Sequence, residues 1–218
     1  MAAILSPGLP PRGLSPEARP VARALRSGQR VIDRDLDEVF PLDARRSSKV
    51  HWTPVAVAAQ AARLLADRPG AVILDVGSGV GKFCLVAAAT VRARIRGIEQ
   101  RAHLVDIARS AAAKLEVNVE FIHGTIDSQD PRQVDGIYLF NPFAENLSPM
   151  RDRIDNSVEL SPERFRRDVE ATEQFLRGAR LGTRVVTYCG FGGTMPDDYV
   201  MELREWHGSN LELWVKKR

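Results

Sequence analysis

Two cysteines, Cys84 and Cys189, are too few in 218 residues for a disulfide framework and stand in no metal-ligand spacing. A cross-linked scaffold and a metal module are therefore not expected, and both thiols, lying in apolar patterns, read as packed side chains. No apolar run is long enough to span a membrane. The opening residues, MAAILSPGLPPRGLSPEARP, lack the charged start and unbroken apolar stretch of a secretory signal, since Pro7, Pro10 and Pro11 interrupt them. They read as a disordered proline-rich tail over residues 1–20 of a cytoplasmic protein. A strong charge of one sign is also missing. The formal excess of +3 comes from nine basic and six acidic residues before His51, with twenty-two of each from His51 onward. That balance disfavours duplex nucleic acid as a partner, because such enzymes present a broad basic face to the phosphates. The arginines of the first fifty residues read as a solvated helix face.

What the chain does contain is VILDVGSGVGKFCLV, from Val72 to Val86. An apolar run leads through Asp75 into Gly77, Gly79 and Gly81, and a helical pattern follows. Strand, tight turn and helix start are expected here. Glycine accepts positive φ and has no Cβ, so a ligand can lie against bare backbone and free N–H groups, and a nucleotide-like cofactor is predicted. Lys82 takes the place of the third glycine of a dinucleotide fingerprint. A phosphate-binding P-loop fails as well, because Lys82 is not followed by Ser or Thr. The next strand lies in RIRGIEQ, Arg94 to Gln100, with Glu99 at its carboxyl end, where an acid in a βαβ unit can accept from both ribose hydroxyls.

The string D-x-G-x-G-x-G with Glu99 resembles motif I of the class I S-adenosylmethionine-dependent methyltransferases. The resemblance runs from about Thr53 to the C-terminus. It implies that Asp75 and the backbone of Gly77, Ser78, Gly79 and Gly81 hold the methionine part of S-adenosyl-L-methionine, and that Glu99, followed by Gln100, binds the ribose. A third strand, Asn118 to Ile122, leads into HGTIDSQD. The family's adenine-binding acid is displaced there, so Thr125, Ile126 and Asp127 are the adenine candidates.

A fourth strand, Val134 to Phe140, ends in Asn141-Pro142-Phe143. Ligands of open α/β sheets bind beyond the carboxyl ends of the strands, which puts Asp75 and Asn141 on two sides of one crevice. The NPF string is similar to the Asn-Pro-Pro-aromatic motif of methyltransferases acting on exocyclic or amide nitrogen. It is also similar to the Asn-Asn-Phe of the non-SET histone lysine methyltransferases, whose motif I contains Gly-Ser-Gly-Val-Gly. An amide oxygen and the carbonyl beside a proline accept from N–H₂ and aim its lone pair, while Phe143 offers an electronegative ring face. Asn141, Pro142 and Phe143 are therefore the catalytic candidates, with Asn141 also touching the cofactor. A charged amine would lose its proton to solvent or to a nearby acid such as Glu145.

The expected organisation is a tail (1–20), an N-terminal helix over Pro20 to Phe40 with a lid (21–52), and a methyltransferase domain (53–218). Thr53 before Pro54 reads as an N-cap opening the Ala-rich helix AVAAQAARLLA, and His51, Trp52 and Thr53 are the lid candidates. Ser161-Pro162 caps a helix reaching Gly178, and Arg184 to Tyr188 is a fifth strand. Tyr199 to Trp206 and Leu211 to Lys216 form an antiparallel hairpin. No helix is expected before that hairpin, which leaves the flank thinly covered or covered by the N-terminal helix. The fold class is α/β: a Rossmann-like, seven-stranded, mostly parallel sheet with helices on both faces. The function expected is methyl transfer to a nitrogen acceptor, a protein side chain or small molecule. The alternatives are a non-catalytic S-adenosylmethionine-binding or partner-binding module and, further off, a Rossmann oxidoreductase.

Overall fold

The computed structural model describes residues 18–46 and 51–217. Residues 1–17 of the expected tail and 47–50 of the expected lid region lie outside the described residues. Three short helices, α1 (Ala18–Arg26), α2 (Asp33–Asp37) and α3 (Leu42–Arg45), precede α4 (Val55–Leu65). The sheet strands are β1 (Val72–Val76), β2 (Arg94–Glu99), β3 (Val119–His123), β4 (Gly136–Phe140), β5 (Arg184–Tyr188), β6 (Tyr199–Trp206) and β7 (Asn210–Lys216). Helices α5 (Lys82–Thr90), α6 (Ala102–Leu115) and α7 (Pro162–Gly178) connect them. The strand order is β3-β2-β1-β4-β5-β7-β6, parallel through β5 and antiparallel at β7 and β6. The order reverses between β1 and β4, the place where open α/β sheets bind ligands.

Strand β1 is buried throughout because it is central and covered on both faces. Its alternation divides the core. Val72, Leu74 and Val76 join Phe175 and Leu176 of α7, while Ile73 joins the layer of α4 and α5. The alanines of α4, with Ala58, Ala61 and Ala62 fully buried, let it approach α5 closely. Helix α7 begins as its sequence predicts: Ser161 Oγ accepts from the Arg164 N–H at 3.1 Å, and Pro162 is the first helical residue. At its far end Lys216 Nζ donates to the carbonyls of Leu176 and Arg177, which suits the negative end of the helix dipole.

The structure departs from the sequence expectations at four places. The helix expected over Pro20 to Phe40 is broken, because the chain turns at Gly28 with φ +71° and resumes only at Asp33. Thr53 does not cap α4. Its Oγ1 pairs with the buried Tyr138 hydroxyl at 3.1 Å, and the Val55 N–H is held instead by Asp33 Oδ1 at 3.0 Å. The flank before the final hairpin is covered by α4, whose Gln60 donates to Glu205 of β6, whereas α1 lies on α5 and α6. Cys84 is buried, but Cys189 is exposed in a left-handed turn with φ +60° after β5. Among the described residues no helix is long and apolar enough to cross a membrane.

Candidate active site

The turn after β1 is fastened to its neighbour strand, since the N–H groups of Gly77 and Ser78 both donate to the Ile98 carbonyl. Gly79 then donates its N–H to Glu99 Oε2 at 3.0 Å, and the Arg101 N–H donates to Oε1 at 2.8 Å. Burial pushes the Glu99 carboxyl above its ordinary value, and these two backbone donors and the Arg101 charge pull it back. Each Glu99 oxygen keeps a second lone pair, so the carboxylate retains capacity for a ligand diol.

Across the crevice, β4 is followed by Asn141, whose φ of +41° suits Asn better than most residues, and whose N–H donates to the Gly190 carbonyl at 2.9 Å. The two turns touch. A Cβ on Gly77 would lie 2.9 Å from the Pro142 Cβ, so only glycine lets the NPF turn come this close. Between them opens a cavity of about 510 Å³, within the range of small-molecule sites.

Of the residues singled out in the sequence, Gly77, Gly79, Glu99, Gln100, Thr125 and Ile126 line one side of this cavity. Asn141, Pro142 and Phe143 line the other, with His51 and Trp52 above. Five do not line it. Asp75 lies on the Ile73 face of β1, beneath the floor, where the Cys84 thiol donates to its Oδ2 at 3.3 Å. Burial, with the nearby Glu99 charge adding to it, raises the Asp75 carboxyl to about 7 despite that bond. Ser78 Oγ is buried with no partner, close to Gly97 and Cys84. Gly81 answers to packing, since a Cβ there would come within 2.5 Å of the Phe121 ring. Asp127 is exposed and borders a separate shallow groove with Arg167, while Thr53 is buried against Tyr138.

Arg101, His103, Asp155 and Arg164 had no sequence signal of their own. Arg101, only 3% exposed, reaches from the end of β2 to Glu145 Oε1 at 2.9 Å and Asp155 Oδ1 at 3.1 Å. Glu145 Oε1 also accepts from the Ile154 N–H at 2.6 Å, and His103 Nε2 lies 3.0 Å from Asp155 Oδ2. The polar stretch after NPF is thus pinned to the cofactor side by one buried cation. Arg164 of α7 adds a second tie, donating to the Gln100 side chain at 3.2 Å and to Asp168.

Residues 73–155 match the family model described as a methyltransferase domain. The match takes in the stretch from β1 to the segment after β4. Its fold agrees with that of an RNA methyltransferase from Salinibacter ruber solved with S-adenosyl-L-homocysteine, at 24% identity and a TM-score of 0.52, covering 76% of this chain and 94% of that one. A methyltransferase from Pyrococcus furiosus shares the fold at 15% identity and a TM-score of 0.53, with 77% and 85% covered. TrmN from Thermus thermophilus does so at 19% identity and 0.53, covering 79% of this chain but about half of that one, 52%. No curated protein matches. The methyl donor of this methyltransferase class is S-adenosylmethionine, and the residues present fit it. Glu99 can receive a ribose, the Gly77–Gly79 backbone leaves open space at Gly79, and the cavity has the volume required.

Proposed function

We propose that this methyltransferase acts on a nitrogen acceptor, a protein side chain or a small amine, in the cytoplasm. What carries the reading is Asn141 at the cavity end of β4, one residue from the Pro142–Gly77 contact. The bound donor supplies an electrophilic sulfonium methyl. Asn141 Oδ1 and the carbonyls of its turn can accept from the acceptor N–H groups and turn the nitrogen lone pair toward that methyl, so catalysis rests mainly on orientation. Phe143 presents a ring to a planar or cationic acceptor. Glu145 is a poor choice of base, because Arg101 and the Ile154 N–H already hold it, which leaves the proton of a charged amine to water. His51 and Trp52 form the cover of the site in this reading. The likeness of Gly77–Gly81 to the non-SET histone lysine methyltransferases favours a lysine side chain among the nitrogen acceptors. Two free thiols are compatible with a reducing compartment. The RNA methyltransferase among the structural neighbours makes RNA the alternative acceptor to test.

The experiment offers lysine-containing proteins, small amines and RNA with methyl-tritiated donor, and compares wild type with Asn141→Gly. Glycine tolerates the left-handed backbone, so this change removes the amide without adding strain. Turnover is expected to fall on the order of a hundredfold, with little change in S-adenosylhomocysteine affinity. Labelling of RNA alone would overturn the protein or small-amine acceptor, and loss of cofactor binding at unchanged turnover would overturn the role of Asn141.

A further inference from the structure

Lys82 stands where helix physics disfavours it. It is the first residue of α5, at the positive end of the helix dipole, and its side chain is 4% exposed. A buried ammonium requires close compensation. Here that comes from Asp33 Oδ1 and Asp37 Oδ1, each 2.7 Å from Nζ. The Asp37 contact is an ion pair without hydrogen-bond alignment, because its Oδ1 has no hydrogen-bond partner. The Trp52 ring adds its face, with its centroid 5.6 Å from Nζ. Every one of these groups belongs to the segment preceding α4. Trp52 lines the cavity and packs edge-on against Phe40 at 4.7 Å, while Lys82 directly follows the glycine turn that lines the opposite side.

We propose that Lys82 is a positioning residue for the cofactor: by gripping Asp33, Asp37 and Trp52 it holds the N-terminal segment down as a wall of the cavity and slows cofactor release. The inference rests on the cavity between the glycine turn and Trp52 being the cofactor site. The physical argument is one of placement. Nothing in the N-terminal segment is covalently near the turn, so its height over the cavity is set by noncovalent ties. Lys82 makes the tie closest to the glycines. The segment's other charged anchors, Arg26 on the Leu115 and Glu116 carbonyls and Lys114 on the Val39 carbonyl, lie at the far end of α6 and fix the segment without setting that height.

The test follows S-adenosylhomocysteine binding and release by stopped-flow tryptophan fluorescence in the full chain. Lys82→Met keeps the length of the stem and removes the charge. It is expected to raise the dissociation rate roughly tenfold and leave the association rate within about twofold, the pattern of a lost tie in the bound state. Lys82→Arg keeps the charge and should recover much of the loss. Should Lys82→Met fold poorly, Asp33→Asn with Asp37→Asn tests the same contact from the other side, since Asn still caps α4 at position 33 and only the charge is lost. Wild-type release rates in folded Lys82→Met or in the double Asn variant overturn the proposal. If the wild type itself fails to bind S-adenosylhomocysteine, the assignment of the cavity falls, and the proposal falls with it.

Discussion

Two walls of the cavity are each held by one buried cation gripping two carboxylates, and they use different cations. On the N-terminal side Lys82 reaches Asp33 and Asp37 with a single nitrogen. On the acceptor side Arg101 uses Nε for Asp155 and Nη2 for Glu145, while its backbone N–H holds Glu99. An ammonium is a point charge that fixes distance, whereas a planar guanidinium with separate donors also fixes direction. The acceptor wall is therefore oriented relative to the Glu99 carboxylate, whereas Lys82 fixes the distance of the N-terminal wall and leaves its direction to the ties at Arg26, Lys114 and Thr53. The difference assigns orientation of the reactants to one side and retention of the cofactor to the other.

Arg101→Met should break the comparison most severely. It leaves Glu145 and Asp155 without their shared partner, and a loss of about 3–5 kcal/mol in urea unfolding is expected. Arg101→Lys should recover only part of this, since one nitrogen cannot serve both carboxylates in their present directions. A lysine that restores full stability would show that the two walls are equivalent after all.

The floor between the walls gives the next effect. Asp75 has a carboxyl raised to about 7 by burial, against 3.8 for an ordinary aspartate. Below pH 4 it is protonated in folded and unfolded chains alike. Between pH 4 and 7 only the folded chain keeps the proton, so stability declines as pH rises through this window and levels off above it. Asp75→Asn should remove that slope and gain on the order of 3 kcal/mol at pH 8, read from unfolding curves across pH. A wild-type stability that rises between pH 4 and 7, with the slope unchanged in the variant, would contradict the assignment.

The smallest effect is expected at the joint between the N-terminal wall and the sheet. Thr53→Val deprives the buried Tyr138 hydroxyl of its partner and should cost about 1 kcal/mol in thermal or urea unfolding. Cofactor release should stay as in the wild type, because Thr53 does not line the cavity. Faster release would mean that the joint as well as Lys82 sets the height of the wall.

The strands, the capped start of α7 and the final hairpin were legible because local pattern decides them. Strands β1 and β4 carry near-continuous apolar runs, and Ser161-Pro162 contains its own cap. Cavity-lining positions were legible where the glycine motif lines the cavity, as at Gly77 and Gly79. The site was misread where a motif residue answers to something else. Period-two alternation puts Asp75 on the face of Ile73, outside the cavity lining. Gly81 is required by Phe121, forty residues on, which no local pattern reveals. Arg101, Glu145 and Asp155 meet only after β2 and the stretch beyond β4 are brought side by side, so their partnership is a product of topology. Thr53 resembled a cap because Thr-Pro often forms one. Its hydroxyl went to Tyr138, and Asp33, distant in sequence, took the capping role.

The contact between Gly77 and Pro142 bears on how such a chain can change over generations. Position 77 is restricted twice, by its φ of +72° and by the proline 2.9 Å from any Cβ it might carry. Position 142 is restricted at this contact only in one direction, since a smaller residue there opens space and closes none. Inheritance is therefore lopsided across a gap no wider than a methyl group: the side of β4 can drift toward smaller residues, and the side of β1 cannot follow.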